Sequence, residues 1–454
     1  MKKSYLLLCL LALLVGCNPR LAAPTLNIPE RYAYQNSADT AAVVSSQNWW
    51  EMFGDTTLNR LITTALSRNY DLQSAASKLL QAQHSMRTVR SEYLPAFGFG
   101  RQVGISQSGK SFTQHYALEP TVSWEIPLFG SLRSSNIIAQ AQVEYAEWQY
   151  QGVRLALAAQ VATTYYTLMQ YQRDLNVAIE SSRLRRETAQ LTDSLFRRGL
   201  ATGVHREQAL SLQYTAEADI PLYESQVRQT LTTLSALIAD ESVDTLAYKV
   251  VDINALSSSP SIDVPVGIPS DLLYRRSDIA SAYSQLVTAA ATAKLKRIAR
   301  LPTLSLTAEG GVVSSELKQI VKGESWGWSA LLSFAQPLYR FGALKGAEKA
   351  AVESYNQALY DYRQSFITAL TDVENALVAV RSTRMQSERY KQLIETFRNI
   401  ATLSVALYRS GLSSYLEVID AERTLYDAQM QYSNILANEY IAYIQLFKAL
   451  GGEV

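Results

Sequence analysis

Four segments of the chain alternate apolar and polar residues with a period of two, which predicts β-strands that each have one apolar face. The first pair follows Leu94-Pro95, and the second pair follows Leu301-Pro302, 207 residues later. Each proline ends a preceding helical pattern, because proline lacks the backbone N–H that a helix interior needs. The predicted strands cover residues 96–106, 115–126, 303–313 and 326–336.

Long helical patterns follow both strand pairs. Apolar residues recur in alternating steps of three and four, as in Phe366, Ala369 and Val373, which is the period of a coiled-coil seam. A glycine, Gly199 or Gly411, ends each long pattern, and a shorter helical pattern returns after it. At about 1.5 Å per residue, each long helix measures roughly 100 Å. The predicted long and return helices cover residues 131–198, 203–237, 342–410 and 413–450.

The order of helix, strand pair, long helix, turn and return helix occurs twice, which indicates a tandem repeat. Before the first repeat, an apolar run follows Lys2 and Lys3 and is too short to span a bilayer, as is typical of a signal peptide. The predicted divisions are a signal peptide at 1–16, a lipidated arm at 17–48, a first repeat at 49–239, an equatorial or inter-repeat segment at 240–269, and a second repeat at 270–454.

The predicted strands have the length of transmembrane β-strands, about 9–11 residues. Lipid offers no partners to open backbone groups, so a spanning sheet must close on itself, and four strands are too few. We therefore predict a mixed fold, in which a long α-helical coiled-coil barrel joins a transmembrane β-barrel with four strands per chain and twelve in a homotrimer. A soluble sandwich whose apolar face meets a core is the alternative. The predicted lipid-facing belt comprises Phe97, Phe99, Trp124, Leu306, Trp328 and Phe334.

Composition narrows the possible functions. The chain has 42 basic and 41 acidic residues, so no bulk field attracts nucleic acid. Its 27 Tyr against 11 Phe favour packing beside water, since a tyrosine has an apolar ring and a polar end. His84, His115 and His205 lie on unrelated elements, and no motif for a metal, a phosphate loop or a nucleophile is present. We expect no catalytic residue, no metal site, no cofactor and no enzymatic activity.

The segment Leu14-Val15-Gly16-Cys17 resembles a bacterial lipobox. The resemblance implies cleavage before Cys17 and acylation of that residue, including palmitate. Cys9 lies in the removed segment, so the mature chain has no intrachain disulfide. Asn18 takes the place of the Asp that retains many lipoproteins at the inner membrane, which favours the outer membrane. The alternative is an ordinary signal peptide followed by an incidental cysteine.

Three motifs occur in a fixed order behind the lipobox. They are Trp49-Trp50-Glu51-Met52-Phe53-Gly54-Asp55, Ile268-Pro269-Ser270-Asp271-Leu272-Leu273 with Arg275-Arg276-Ser277-Asp278-Ile279, and Leu301-Pro302-Thr303-Leu304-Ser305-Leu306. Together they resemble the TolC-like outer membrane efflux protein family, in its lipoprotein branch that serves resistance-nodulation-division pumps. The resemblance covers roughly residues 49–451.

This resemblance implies a lipid-anchored homotrimer in the outer membrane that extends into the periplasm. It would be the passive exit duct of a tripartite efflux system for small toxic compounds, working with a periplasmic adaptor protein and an inner-membrane pump. Two alternatives remain open at this point, namely a channel for type I protein secretion and a structural coiled-coil lipoprotein. The exported substrate does not follow from the sequence.

The resemblance also implies a gate at the periplasmic helix turns. Glu417 and Asp420 match the family's acidic motif and lie three residues apart on one helix face. Under three-fold symmetry they would form two rings of negative charge that attract cations. Alternatively, both acids only stabilise the helix N-terminus. His205 and Ser413 occupy the positions of the family's charged lock, so we expect another interaction to hold the closed state. The predicted gate residues are Glu417, Asp420, Tyr408, Gly411, Gly199 and His205.

Overall fold

The structure, a computed structural model, describes residues 25–26, 28–34, 48–239, 262, 269–315 and 326–452. Cys17, the signal peptide and most of the predicted equatorial segment at 240–269 lie outside these residues. The elements are 3₁₀ turns at Trp49–Phe53 and Pro269–Asp271, helices α1 (Thr56–Arg68), α2 (Tyr70–Ser91), α3 (Ser131–Arg197), α4 (Gly203–Leu237), α5 (Leu272–Arg275), α6 (Ser277–Ile298), α7 (Ala343–Arg409) and α8 (Tyr415–Ala449), and strands β1 (Ala96–Ser108), β2 (Ser111–Ile126), β3 (Thr303–Ser314) and β4 (Trp326–Ala335).

The chain forms two compact units, and each takes segments from both sequence repeats. Of the residues that the structure describes, the strand unit contains those within Glu92–Ile138 and Leu286–Arg363, together with residues 25–26 and 28. The helix unit contains the other described residues. All four described strands therefore lie in one unit, although they come from both repeats.

The strand unit contains one antiparallel sheet with the order β1-β2-β3-β4. Directly paired residues lie on the same face of a sheet. The register pairs Phe97 with Val122, Trp124 with Leu306, and Leu304 with Phe334. By this register, all six residues of the predicted belt share one face. The opposite face carries polar residues, among them Thr121, Ser123, Glu125, Ser305, Thr307 and Glu309.

The hairpin between β1 and β2 is tighter than the sequence pattern predicts. The second strand begins at Ser111, not at residue 115, and the ladder continues to a pair between Ser108 and Ser111. Only Gly109 and Lys110 remain in the turn, and Gly109 has a φ of +62°. A two-residue hairpin turn of type II′ needs a positive φ at its first residue, which glycine adopts without strain.

An aromatic cluster packs the 3₁₀ turn at Trp49–Phe53 against the helix unit. The buried Trp49 ring stacks on Phe447 with centroids 5.4 Å apart, and Phe53 lies 6.0 Å from Tyr440. Tyr440 in turn stacks on Tyr166 at 4.3 Å. These contacts connect the 3₁₀ turn at Trp49–Phe53 with α3 and α8, so the first sequence motif contributes to the core of the unit.

Asp55 completes this motif by capping α1. Its Oδ1 accepts hydrogen bonds from the backbone N–H of Thr57 (2.8 Å) and Leu58 (3.0 Å). Its Oδ2 accepts a 2.7 Å hydrogen bond from the buried Tyr165 hydroxyl on α3. Gly54 precedes it with a φ of +67°, which ends the 3₁₀ turn. One carboxylate therefore fixes both the start of α1 and its position against α3.

The second motif joins helices α6, α7 and α8. The Arg276 side chain donates to the carboxylates of Asp278 (2.6 Å) and Asp372 (2.9 Å) and to the Ala449 carbonyl (3.0 Å). It therefore connects the start of α6 with α7 and the end of α8. Gly152 on α3 also belongs to this region, because a Cβ there would lie 2.9 Å from the Ser277 hydroxyl.

The long helices bury the seams that the sequence indicates. Phe366, Ala369 and Val373 on α7 are buried, as are Tyr166 and Met169 on α3. None of the described helices is both long enough and apolar enough to cross a membrane.

We expect Asp55→Ala to lower the free energy of unfolding by roughly 2–4 kcal/mol, because it removes a helix cap and the acceptor of a buried hydroxyl. Thermal unfolding of the purified protein would measure the loss. Tyr165→Phe removes only the hydroxyl and should cost less. The effects should be less than additive in the double variant, since both remove the same hydrogen bond. Equal stability of Asp55→Ala and wild type would contradict this role.

Candidate functional site

The two turns that follow the long helices have the same backbone conformation. Gly199 has a φ of +77° and Gly411 a φ of +74°. In the first turn, the Gly199 N–H donates to the carbonyl of Phe196, and the Leu200 N–H donates to that of Leu195. The corresponding bonds of the second turn are Gly411 to Tyr408 and Leu412 to Leu407. This is the Schellman motif, which favours glycine because of its left-handed residue.

Side-chain caps begin the two return helices. Thr202 Oγ1 accepts from the His205 N–H (3.3 Å), and Ser414 Oγ accepts from the Leu416 N–H (3.2 Å). The Ser414 cap corrects the predicted start of the last helix, which begins at Tyr415 and not at residue 413. Serine is favoured at the position immediately before a helix, because its hydroxyl accepts a hydrogen bond from an N–H that has no partner within the helix.

Tyr415 is the centre of a cluster between the turns. It is 1% exposed, and its ring lies 5.1 Å from Tyr408 and 5.9 Å from His205. Burial, together with the nearby carboxylate of Glu422, raises the pKa of Tyr415 well above its usual range. We call this set the turn cluster; its other buried members are Ala189, Ala209 and Val418. The structure thus brings together two predicted gate residues, Tyr408 and His205, through a residue that the sequence did not single out.

The two lock positions interact with different partners. His205 packs its ring against Tyr415, whereas the Ser413 hydroxyl donates to the Ser414 carbonyl at 3.4 Å. Across the residues that the structure describes, no hydrogen bond or ion pair joins His205 to Ser413. The interaction at His205 is packing against an aromatic ring.

Glu417 and Asp420 both lie exposed near the start of α8, but their surroundings differ. Asp420 Oδ1 accepts a 3.0 Å hydrogen bond from Arg423 Nη2. The Glu417 carboxylate has no hydrogen bond or ion pair with any described residue. Glu417 lies in the first turn of α8, where the positive end of the helix dipole favours an acid, whereas Asp420 lies beyond that turn.

A buried polar layer lies about one to three helical turns beyond the turn cluster along α8. Thr188 on α3 donates a 3.1 Å hydrogen bond to Glu422, and Tyr426 donates a 2.7 Å hydrogen bond to Asp219 on α4. The Arg185 guanidinium lies 4.8 Å above the Tyr426 ring. Burial raises the pKa of Glu422, while the Thr188 hydrogen bond and the Arg185 charge oppose that shift. These contacts join α8 to both α3 and α4.

The sheet carries the other predicted site. Phe97, Phe99, Trp328 and Phe334 are exposed on its apolar face, and Trp124 and Leu306 are half-buried between them. Within the described ranges, no three His, Cys, Asp or Glu side chains lie close enough together to hold a metal ion.

The family model of the outer membrane efflux proteins matches residues 61–240 and 268–452. The chain belongs to this family. The pyoverdine export outer membrane protein OpmQ of Pseudomonas putida is 30% identical over 467 residues, which cover 98% of this chain and 97% of OpmQ. The toluene efflux pump outer membrane protein TtgF, also from Pseudomonas putida, is 30% identical and covers the whole chain, with 97% of its own length matched.

The fold matches that of solved outer membrane channels. The CmeC channel of Campylobacter jejuni has a TM-score of 0.86 at 23% identity, and the match covers 96% of this chain and 94% of CmeC. The predicted family and fold class are thereby confirmed. The protein is an outer membrane efflux protein.

Proposed function

We propose that this protein is the exit duct of a tripartite efflux system for small toxic compounds. A periplasmic adaptor protein and an inner-membrane pump of the resistance-nodulation-division type would complete the system. The observation that carries the proposal is a sheet with one apolar face in the same chain as two helices of 67 residues each. Such a chain combines a membrane-spanning part with a long part suited to the periplasm.

The relatives support a duct that does not itself select its cargo. OpmQ is named for export of pyoverdine and TtgF for efflux of toluene, yet both are 30% identical to this chain. The same fold thus serves chemically different compounds. Their names also favour small-molecule efflux over type I protein secretion.

The sheet supports a homotrimer. β1 and β4 each pair on one side only among the described strands, so both edges retain open backbone groups. Such edges are not tolerated in lipid. Three copies would close a twelve-stranded barrel with the apolar face, including Phe97 and Phe334, turned toward lipid. Cys17 would add an acyl anchor at the N-terminus.

The two helix turns would form the periplasmic gate. Gly199 and Gly411 allow the sharp reversals, and the turn cluster around Tyr415 packs His205 and Tyr408 between them. The buried polar layer would resist separation of α8 from its neighbours, because opening would leave hydrogen-bonding groups without partners. Under three-fold symmetry, Glu417 and Asp420 would line the constriction.

Loss of the protein should make cells more sensitive to toxic compounds. A deletion strain is tested against a chemically varied panel, and a plasmid copy should restore resistance. Deletion of the inner-membrane pump alone should give the same spectrum of sensitivity, because both would act in one pathway. Unchanged sensitivity to every compound, or a defect confined to a secreted protein, would overturn the proposal.

Mass spectrometry tests the trimer and its anchor on one preparation. Native spectra in detergent should show three copies, and the denatured mature chain should begin with acylated Cys17. A stable monomer or dimer would contradict the trimer, and an unmodified N-terminal residue would contradict the lipid anchor.

Leu306→Arg should reduce the yield of trimer, since an arginine facing the bilayer midplane costs roughly 2–4 kcal/mol. Ser305→Arg, on the polar face, is the matched control and should assemble.

The gate prediction concerns Glu417 and Asp420. Replacing both with Ala should weaken cation preference and block by multivalent cations in planar bilayers, with the trimer intact. Glu388→Ala/Glu395→Ala removes two exposed acids of α7 and serves as the control. If selectivity and block stay unchanged while thermal stability falls, the two acids act only as helix caps.

A further inference from the structure

The two acids of the proposed gate are not equivalent, because an arginine accompanies only one of them. Arg423 Nη2 lies 3.0 Å from Asp420 Oδ1, at the i,i+3 spacing that places both on one face of α8. Both side chains are exposed, at 62% for Arg423 and 68% for Asp420. Glu417, one turn earlier on the same face, has no such partner among the described residues.

We propose that Arg423 sets the strength of cation selection at the gate by partly neutralising Asp420, and that Glu417 supplies most of the uncompensated charge. This inference rests on the proposed gate. Glu417, Asp420 and Arg423 together carry a net charge of −1 per chain, whereas the two acids alone would carry −2. Under three-fold symmetry, this charge difference would occur in all three chains, so the three arginines would halve the total negative charge of the acidic residues at the gate.

Arg423 affects the local field much more than it affects stability. An exposed ion pair contributes only about 0–1 kcal/mol, so removing the arginine should leave the fold unchanged. The field of a charge, however, reaches about 8–10 Å at moderate ionic strength and farther at low salt. An arginine within 3.0 Å of Asp420 therefore acts on any cation that approaches that carboxylate.

Two other arginines near the turns are paired on different helices. Arg197 and Arg206 both contact Asp193, at 2.8 and 3.2 Å, within the α3–α4 hairpin. Their contribution to the local electric field is the same in every variant of α8. Differences between variants therefore report the charges of α8 itself.

The chain offers a closely matched control for Arg423. Arg398 on α7 pairs with Glu395 at 2.9 Å, also at i,i+3 spacing and with both side chains exposed. It lies 11 residues before the end of α7 at Arg409, away from the turn. Arg398→Gln therefore removes the same charge from the same kind of pair at a different place.

The experiment measures reversal potential in a KCl gradient and block by hexaamminecobalt(III) in planar bilayers, at low and high salt. Arg423→Gln should increase K⁺ preference and lower the half-blocking concentration several-fold, most clearly at low salt. Arg423→Lys should behave as wild type, and so should Arg398→Gln. The charge-balanced variant Asp420→Asn/Arg423→Gln should return to wild-type selectivity, because its net charge is again −1.

The single-acid variants separate the two proposals. If Glu417→Gln and Asp420→Asn weaken selectivity while Arg423→Gln changes nothing, the gate stands and the role of Arg423 is overturned. A change in Arg423→Gln that persists in the charge-balanced variant would also overturn it, because a local structural effect would then be the cause. If none of the three single variants alters selectivity or block, the proposed gate itself fails.

Discussion

The unpaired backbone of the sheet edges is the constraint on which the rest of the architecture depends. A four-stranded sheet with β1 and β4 at its ends exposes two rows of N–H and C=O groups. Water can satisfy such groups, but lipid cannot. In the proposed trimer, other copies of the chain would pair with these edges. Each strand pair is followed by a 67-residue helix and a 35-residue return helix, so the same closure would apply to both sets of helices.

The hydrophobic periodicity was sufficient to predict the helices and strands, because each segment keeps its period regularly over most of its length. The four strands and the two 67-residue helices lie where the patterns place them, within a few residues at each end. The differences have local causes. Gly109 permits a two-residue turn, so β2 begins earlier than alternation alone indicates, and the Ser414 cap delays the start of α8.

The contacts of the candidate site could not be predicted in the same way. Tyr415 meets His205 only because α4 and α8, which are far apart in sequence, are neighbours. The partly buried pair of Thr188 and Glu422 depends on the same kind of long-range packing. By contrast, the i,i+3 spacing of Asp420 and Arg423 is a local signal in the sequence, although the acidic motif of Glu417 and Asp420 does not include the arginine. Local charge pairs can be inferred from spacing, whereas the partners of a helix face require the fold.

The most recognisable motifs of the chain hold its core together. Asp55 caps a helix and Arg276 joins three helices, so neither residue needs to meet an exported molecule. Their roles are structural, so these motifs identify the family without belonging to the proposed gate. The residues proposed to act on ions are exposed, and Asp420 pairs only with Arg423, three residues later on the same helix.

Helix α8 separates two properties of the proposed gate. Tyr415, Val418, Glu422 and Tyr426 follow one another at helical spacing on its packed face. Glu417, Asp420 and Arg423 lie on its exposed face. Buried hydrogen bonds respond little to salt, while exposed charges are screened over about 8–10 Å at ordinary ionic strength. In the proposed gate, resistance to opening and selection of ions would therefore depend on different faces and on different physical interactions. A change of charge on the exposed face would then alter selectivity without loosening the packing of the other face.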